Sequence, residues 1–187
     1  MRAVRAPDMH PTLSPPDVFA ADPIAPRDAA LVLDRARALQ RAAVTGGLPA
    51  SLRGRKLGLL CEAGDAGAGA GTGADADVDD AALFRRAAVE LGAHVAHIRP
   101  SLTELSTLPD VQRTARMLGR LYDAIECQGM ATELVHQVGI AAGVPVYDAL
   151  ASAKHPTARL ADLLEGEASP PDKRRFVLQA VLLSTIV

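Results

Sequence analysis

Four side chains have the types and positions to do chemistry together: Cys61, Glu62, Gln128 and His155. Each falls at or beyond the end of a short apolar run, where a parallel sheet gathers its ligand contacts. A thiol, a carboxylate, a carboxamide and an imidazole can donate, accept or polarise, but none carries a fixed positive charge. The loop that faces them is acidic as well. Residues 64–80 hold Asp65, Asp75, Asp77, Asp79 and Asp80, and no Lys or Arg stands between Lys56 and Arg85. A glycine-rich loop that opens a helix is a phosphate-binding geometry, yet a dianion here would meet like charge.

Other groups compete for attention. Cys61, Cys127 and His155 form a soft-metal or redox set on paper, against the plainer reading of buried cysteines as small hydrophobes. His94 and His97 fall on opposite faces of one short strand and cannot share a site. His136 falls at the surface of a helix. The aspartates lack the spacing of a calcium loop and read as a solvated segment. Lys173, Arg174 and Arg175 come without stacking aromatics and read as the wet edge of a helix, not as a nucleic-acid patch. His155 itself is either a group that polarises a ligand carbonyl or a packing residue before Pro156. The expected cofactors and metals are none.

The elements that must position these residues alternate. Strands are predicted at 56–61, 93–98, 123–127 and 144–147, with helices at 79–91, 110–121 and 131–142 between them. Strand–helix–strand order argues a four-stranded parallel sheet with helices on both faces, an α/β domain. A helix over 26–44 precedes the sheet, with Val32, Ala36, Leu39 and Ala43 on one face. The later helices carry Val111, Ala115, Leu118 and Tyr122, then Leu134, Val138 and Ala141; Gly92 and Gly143 stop their helices. A helix over 155–165 follows the fourth strand. The last helix opens with Ser169 as cap and Pro170 at its first position. From 176 to 187 it is apolar on nearly every side, which demands burial between its own domain and a further body.

Bulk properties bound the rest. The chain has 187 residues, enough for one domain with a substantial core. Aromatics make up 3% with no Trp, so the core must be aliphatic. A net charge of −2 supplies no field for nucleic acid or an anionic membrane. No apolar run approaches the ~20 residues that span a bilayer, and the N-terminus lacks a secretory apolar core. Two cysteines without CxxC spacing fit a reducing compartment, so the cytoplasm is expected. Residues 1–24 read as a flexible, proline-rich arm, 25–166 as the α/β domain, and 167–187 as a helix packing on that same domain.

Several motifs then point to a family. Leu52-Arg53-Gly54-Arg55-Lys56 leads into the first strand, Glu90-Leu91-Gly92-Ala93 into the second, and Leu121-Tyr122-Asp123-Ala124-Ile125-Glu126 into the third; His155-Pro156-Thr157 follows the fourth. Together with the closing helix they resemble the aspartate/ornithine carbamoyltransferase family, nearer the ornithine branch, in its N-terminal carbamoyl-phosphate-binding domain. The resemblance implies trimers built through this domain, with active sites between subunits. It also implies that the second, amino-acid-binding domain is missing between residue 166 and the last helix.

The departures from the family pattern fall on ligand residues. The resemblance calls for Ser-Thr-Arg-Thr-Arg after Glu62, where the acidic loop stands. It calls for Tyr-Arg-Gly at Cys127-Gln128-Gly129, for a glutamine at Ala158 and for an asparagine at Asp148. A charge-assisted hydrogen bond to phosphate contributes roughly 1.5–3 kcal/mol, so losing three arginines and a glutamine removes on the order of 5–10 kcal/mol. The expectation is a non-catalytic, pseudoenzyme-like assembly, scaffolding or regulatory subunit. It would trimerise or pair with a full-length carbamoyltransferase, with His155 vestigial. The alternatives are a carbamoyltransferase-type enzyme whose partner lends cations, or a small-molecule-binding protein that uses the strand-end crevice around His155.

Overall fold

The computed structural model describes residues 25–47, 50–61, 72–99 and 107–186. The arm at 1–24, Glu62 and residues 63–71 of the acidic loop lie outside them. The order is α1 (Pro26–Thr45), β1 (Lys56–Cys61), α2 (Thr72–Glu90), β2 (His94–Ile98), α3 (Leu108–Leu121), β3 (Ala124–Gln128), α4 (Thr132–Ala142), β4 (Val146–Asp148), α5 (Ala158–Asp162) and α6 (Pro170–Thr185). The four strands pair in parallel in the order β2-β1-β3-β4. The order reverses between β1 and β3, which makes their carboxyl ends the topological switch point.

The sheet divides two aliphatic cores. Leu57, Leu59, Ala124 and Tyr147 pack with α1, α2, α5 and α6 on one face. Leu60, Ile125, Cys127 and Val146 pack with α3 and α4 on the other. Alternation along each strand forces this split, since neighbouring side chains point to opposite faces. The second layer is tight: a Cβ added to Gly119 of α3 would sit 1.9 Å from the carbonyl oxygen of Ala142 in α4. Gly143, at φ +71, then ends α4 in a backbone conformation that side chains resist.

Four sequence expectations need correction. Helix α2 starts at Thr72, not near 79. In α4 the buried residues are Val135, Val138 and Ala142, one step round from the predicted face, with Leu134 and Ala141 at its margin. In α1, Val32, Ala36 and Leu39 are buried but Ala43 is exposed, beside the groove between α1 and residues 165–168. Helix α5 spans only Ala158–Asp162, because His155 to Thr157 form turns instead.

The last helix departs from expectation in a more informative way. Ser169 caps it by accepting the N–H of Asp172 at 3.3 Å, and Arg174 through Ser184 are all buried. Helices α1, α2 and α5 of the same chain surround it. Its all-round apolar surface is therefore met inside this domain, with no second body required. The Tyr147 hydroxyl, bonded to Oγ1 of Thr185, fastens its far end to β4. Among the described residues no helix is long and apolar enough to cross a membrane.

Candidate functional site

Strand β3 carries the centre of the site. All its residues are buried, and the register sets Gln128 opposite Cys61 and Cys127 opposite Asp148. Alternation puts Glu126 and Gln128 on the face of α2 and α6, together with Cys61, which packs against that core. Cys127 belongs to the other core. The sheet thus separates Cys61 from Cys127, and the metal set of Cys61, Cys127 and His155 is not assembled. No group of three or more metal-ligating side chains occurs among the described residues. Burial and the neighbouring Glu126 and Asp148 push the Cys127 thiol well above its ordinary range, which suits a packing role.

After β4 the chain makes a strained turn. Ala149 takes φ +49, uncommon for a residue with a side chain, while its N–H donates to the Cys127 carbonyl at 2.9 Å. The next N–H, of Leu150, donates to Glu126 Oε1 at 2.9 Å. The other carboxyl oxygen of Glu126 has no hydrogen-bond partner among the described residues. Burial drives this carboxyl well above its ordinary range; the Leu150 N–H pulls it back, Asp148 and Asp80 push it further, and Arg174 opposes them. The balance favours the protonated form of Glu126 relative to an exposed carboxyl.

His155 sits buried in the turn before α5. Its backbone N–H donates to Ser152 at 3.1 Å. Its Nδ1 accepts the Thr157 N–H at 3.2 Å and lies 2.8 Å from Thr157 Oγ1. That hydroxyl accepts Nη1 of Arg174 at 2.8 Å, so its own hydrogen points to Nδ1. The pattern assigns the proton of the neutral imidazole to Nε2. Arg174 also donates Nη2 to the Leu150 carbonyl and, at 3.2 Å, to that of Ser152. Burial lowers its pKa to about 10, leaving it cationic at neutral pH.

Arg174 is the residue that sequence reasoning missed, because a run of three cations reads as a wet edge. Arg174 and Arg175 are each only 8% exposed. Arg175 pairs with Glu90 and, at 2.8 Å, with Asp172, and its guanidinium lies 4.6 Å from the Phe176 ring centroid. The available signal was helical: within an otherwise apolar helix, a charged residue one turn in lies under neighbouring elements. Of the four predicted residues, the structure puts Cys61 half-buried at the end of β1, beside fully buried Gln128, and His155 in the turn tied to α6. Glu62 lies outside the described residues. Both amide atoms of Gln128 lack a hydrogen-bond partner among the described residues.

Comparison with known proteins agrees with this geometry. Residues 82–167 match the family described as aspartate/ornithine carbamoyltransferase, carbamoyl-P binding domain. The catabolic ornithine carbamoyltransferase of Chromobacterium violaceum is 35% identical over 140 residues, which are 74% of this chain and 38% of that protein. The ornithine carbamoyltransferase of Pyrococcus furiosus superposes with a TM-score of 0.63 at 20% identity, covering 81% of this chain and 45% of that one. The enzyme from Thermus thermophilus gives 0.59 at 23% identity, covering 80% and 47%. The chain spans less than half the length of these relatives. It is a relative of the aspartate/ornithine carbamoyltransferase family, and its described residues carry the fold of that family's carbamoyl-phosphate-binding domain.

Proposed function

We propose that this chain is a non-catalytic relative of the ornithine carbamoyltransferases, acting in the cytoplasm as an assembly, scaffolding or regulatory subunit. One observation carries the reading: the strand-end face offers a buried carboxyl, Glu126, and a buried neutral amide, Gln128, where a bound dianion would need cations. The buried cation beside them, Arg174, directs its donors at Thr157, Leu150 and Ser152 of its own chain. The segment that follows β1, residues 62–71, contains no Lys or Arg, and the segment that follows β2 contributes a single cation, Arg99. A dianion at this position would lose its water and gain few charge-assisted partners.

The assembly role draws on the edge of the sheet. Among the described residues strand β2 has a neighbour on one side only, and such an edge invites pairing or cover. Met117 and Leu121 lie one turn apart on the flank of α3 that faces away from Gly119 and α4, and they are 49% and 55% exposed. Apolar side chains of this size, half in water, fit a face that another subunit covers. The partner is a second and third copy of this chain or a full-length carbamoyltransferase.

Light scattering on the purified chain tests the reading. A mass about three times the 19.5 kDa of one chain supports it, and a monomer that captures no carbamoyltransferase in a pull-down contradicts it. Citrulline formation by the purified chain alone would contradict its non-catalytic part. A second reading, small-molecule binding at the strand ends, is favoured by the unpartnered atoms of Gln128 and Glu126.

A further inference from the structure

We infer that the cleft at the amino ends of β1, β3 and β4 binds a small zwitterion of the α-amino acid type, its carboxylate on Arg120 and its ammonium at the carbonyl ends of α3 and α6. The cleft has a volume of about 350 Å³ and lies at the opposite end of the sheet from Gln128 and His155. That is near the lower end of the range of about 300–1,000 Å³ typical of ligand pockets, which calls for a small ligand. Its walls come from four places in the chain. Arg55 stands before β1, Arg120 and Asp123 stand around the end of α3, Pro145 precedes β4, and Thr185 and Ile186 close α6.

Charge decides the ligand class. Two of the charges cancel, since Nη1 of Arg55 lies 2.8 Å from Oδ1 of Asp123. The Lys56 backbone N–H donates to the other oxygen at 2.8 Å and holds this carboxyl below its ordinary range, with help from Arg55. Arg120 is left over. It stands in the last turn of α3, is exposed, and has no hydrogen bond or ion pair among the described residues. The helix ends supply the opposite sign, because the last carbonyls of a helix lack partners within it and carry partial negative charge. The Tyr122 N–H turns back to Leu118 in α3, and that of Ile186 to Leu182 in α6, so later carbonyls of both helices have no helical partner. A simple anion would gain Arg120 but meet these carbonyls and Asp123. A simple cation would gain the carbonyls but meet Arg55 and Arg120. An α-amino acid carries both charges on one carbon and answers both at once. A cation in the last turn also suits its own helix, so the experiment must separate the two roles. This site is independent of the loss of the anion site at the other end of the sheet.

Glycine and L-alanine are titrated into the ¹⁵N-labelled full chain, with propionate and propylamine as single-charge controls. The expected result is saturable shifts of the backbone amides of residues 119–123, 144 and 185–186. Both amino acids should bind at least about tenfold tighter than either control. Arg120→Gln should weaken them at least about tenfold while its backbone spectrum remains that of the folded chain, as its exposed position allows. If R120Q does not fold, the wild-type titrations decide alone through the residues that shift. Silence from both amino acids overturns the inference, as does an equal response to propionate or propylamine. Binding unchanged in folded R120Q, or shifts confined to the carboxyl strand ends around Cys61 and Gln128, overturns it as well.

Discussion

Nη1 of Arg174 lies 2.8 Å from Oγ1 of Thr157, which joins the last helix of the chain to the turn that carries His155. The bond orders three things together: the rotamer of Arg174, the hydroxyl of Thr157 and the tautomer of His155. It also makes α6 part of the strand-end site and not merely a lid on the core.

Replacing Arg174 by Met should therefore destabilise the fold. Its bonds to Thr157, Leu150 and Ser152 are charge-assisted, and their loss leaves the Leu150 carbonyl without its guanidinium partner while Ser152 keeps only the His155 N–H. The expected cost is about 2–4 kcal/mol, read as a fall in the urea midpoint with an unchanged slope. A variant with the wild-type midpoint would show that the network carries no weight.

Glu126 should make stability depend on pH in one direction. Its folded pKa is raised well above the ordinary value of 4.5. Above that pH the unfolded chain releases the proton while the folded chain keeps it. The unfolded state then binds fewer protons, and stability falls as pH rises. Glu126→Gln keeps an oxygen for the Leu150 N–H and removes the titration. Its stability relative to wild type should grow between pH 5 and pH 7.5 in urea unfolding; a constant difference would contradict the assignment.

Gly119→Ala should weaken the α3–α4 layer. The added methyl meets the Ala142 carbonyl oxygen at 1.9 Å, and backbone cannot move aside as a flexible side chain does. A loss of about 1–3 kcal/mol is expected, measured by thermal or urea unfolding. Wild-type stability would mean that the helices separate freely.

The two cysteines should behave as strangers. Cys127 is buried with a raised thiol pKa on one face, and Cys61 is half-buried on the other. Diamide treatment of the folded chain should leave no intramolecular disulfide by intact mass, and a thiol reagent should label Cys61 well ahead of Cys127. Rapid crosslinking would put both thiols on one side of the sheet.

Much of this architecture was legible in the residues. The short runs at 56–61 and 123–127 read as strands of a sheet covered on both faces, and the i, i+4, i+7 pattern of Val111, Ala115 and Leu118 marked the inner side of α3. The strand-end positions of Cys61 and Gln128 followed from those strands. Contacts between distant segments were not legible. The pairing of Arg174 with Thr157, and of Arg175 with Glu90, 85 residues earlier, depends on how α6 lies across the domain. A local charge run contains no trace of that. The raised pKa of Glu126 was hidden for the same reason, since it comes first from burial in the folded chain.

Calorimetric titration of the purified chain with carbamoyl phosphate tests the loss of the anion site most directly. The account predicts no binding tighter than about 100 μM, roughly −5.5 kcal/mol. Saturable binding below that concentration would mean that His155 and Arg174 suffice to hold the dianion, and the non-catalytic reading would fall.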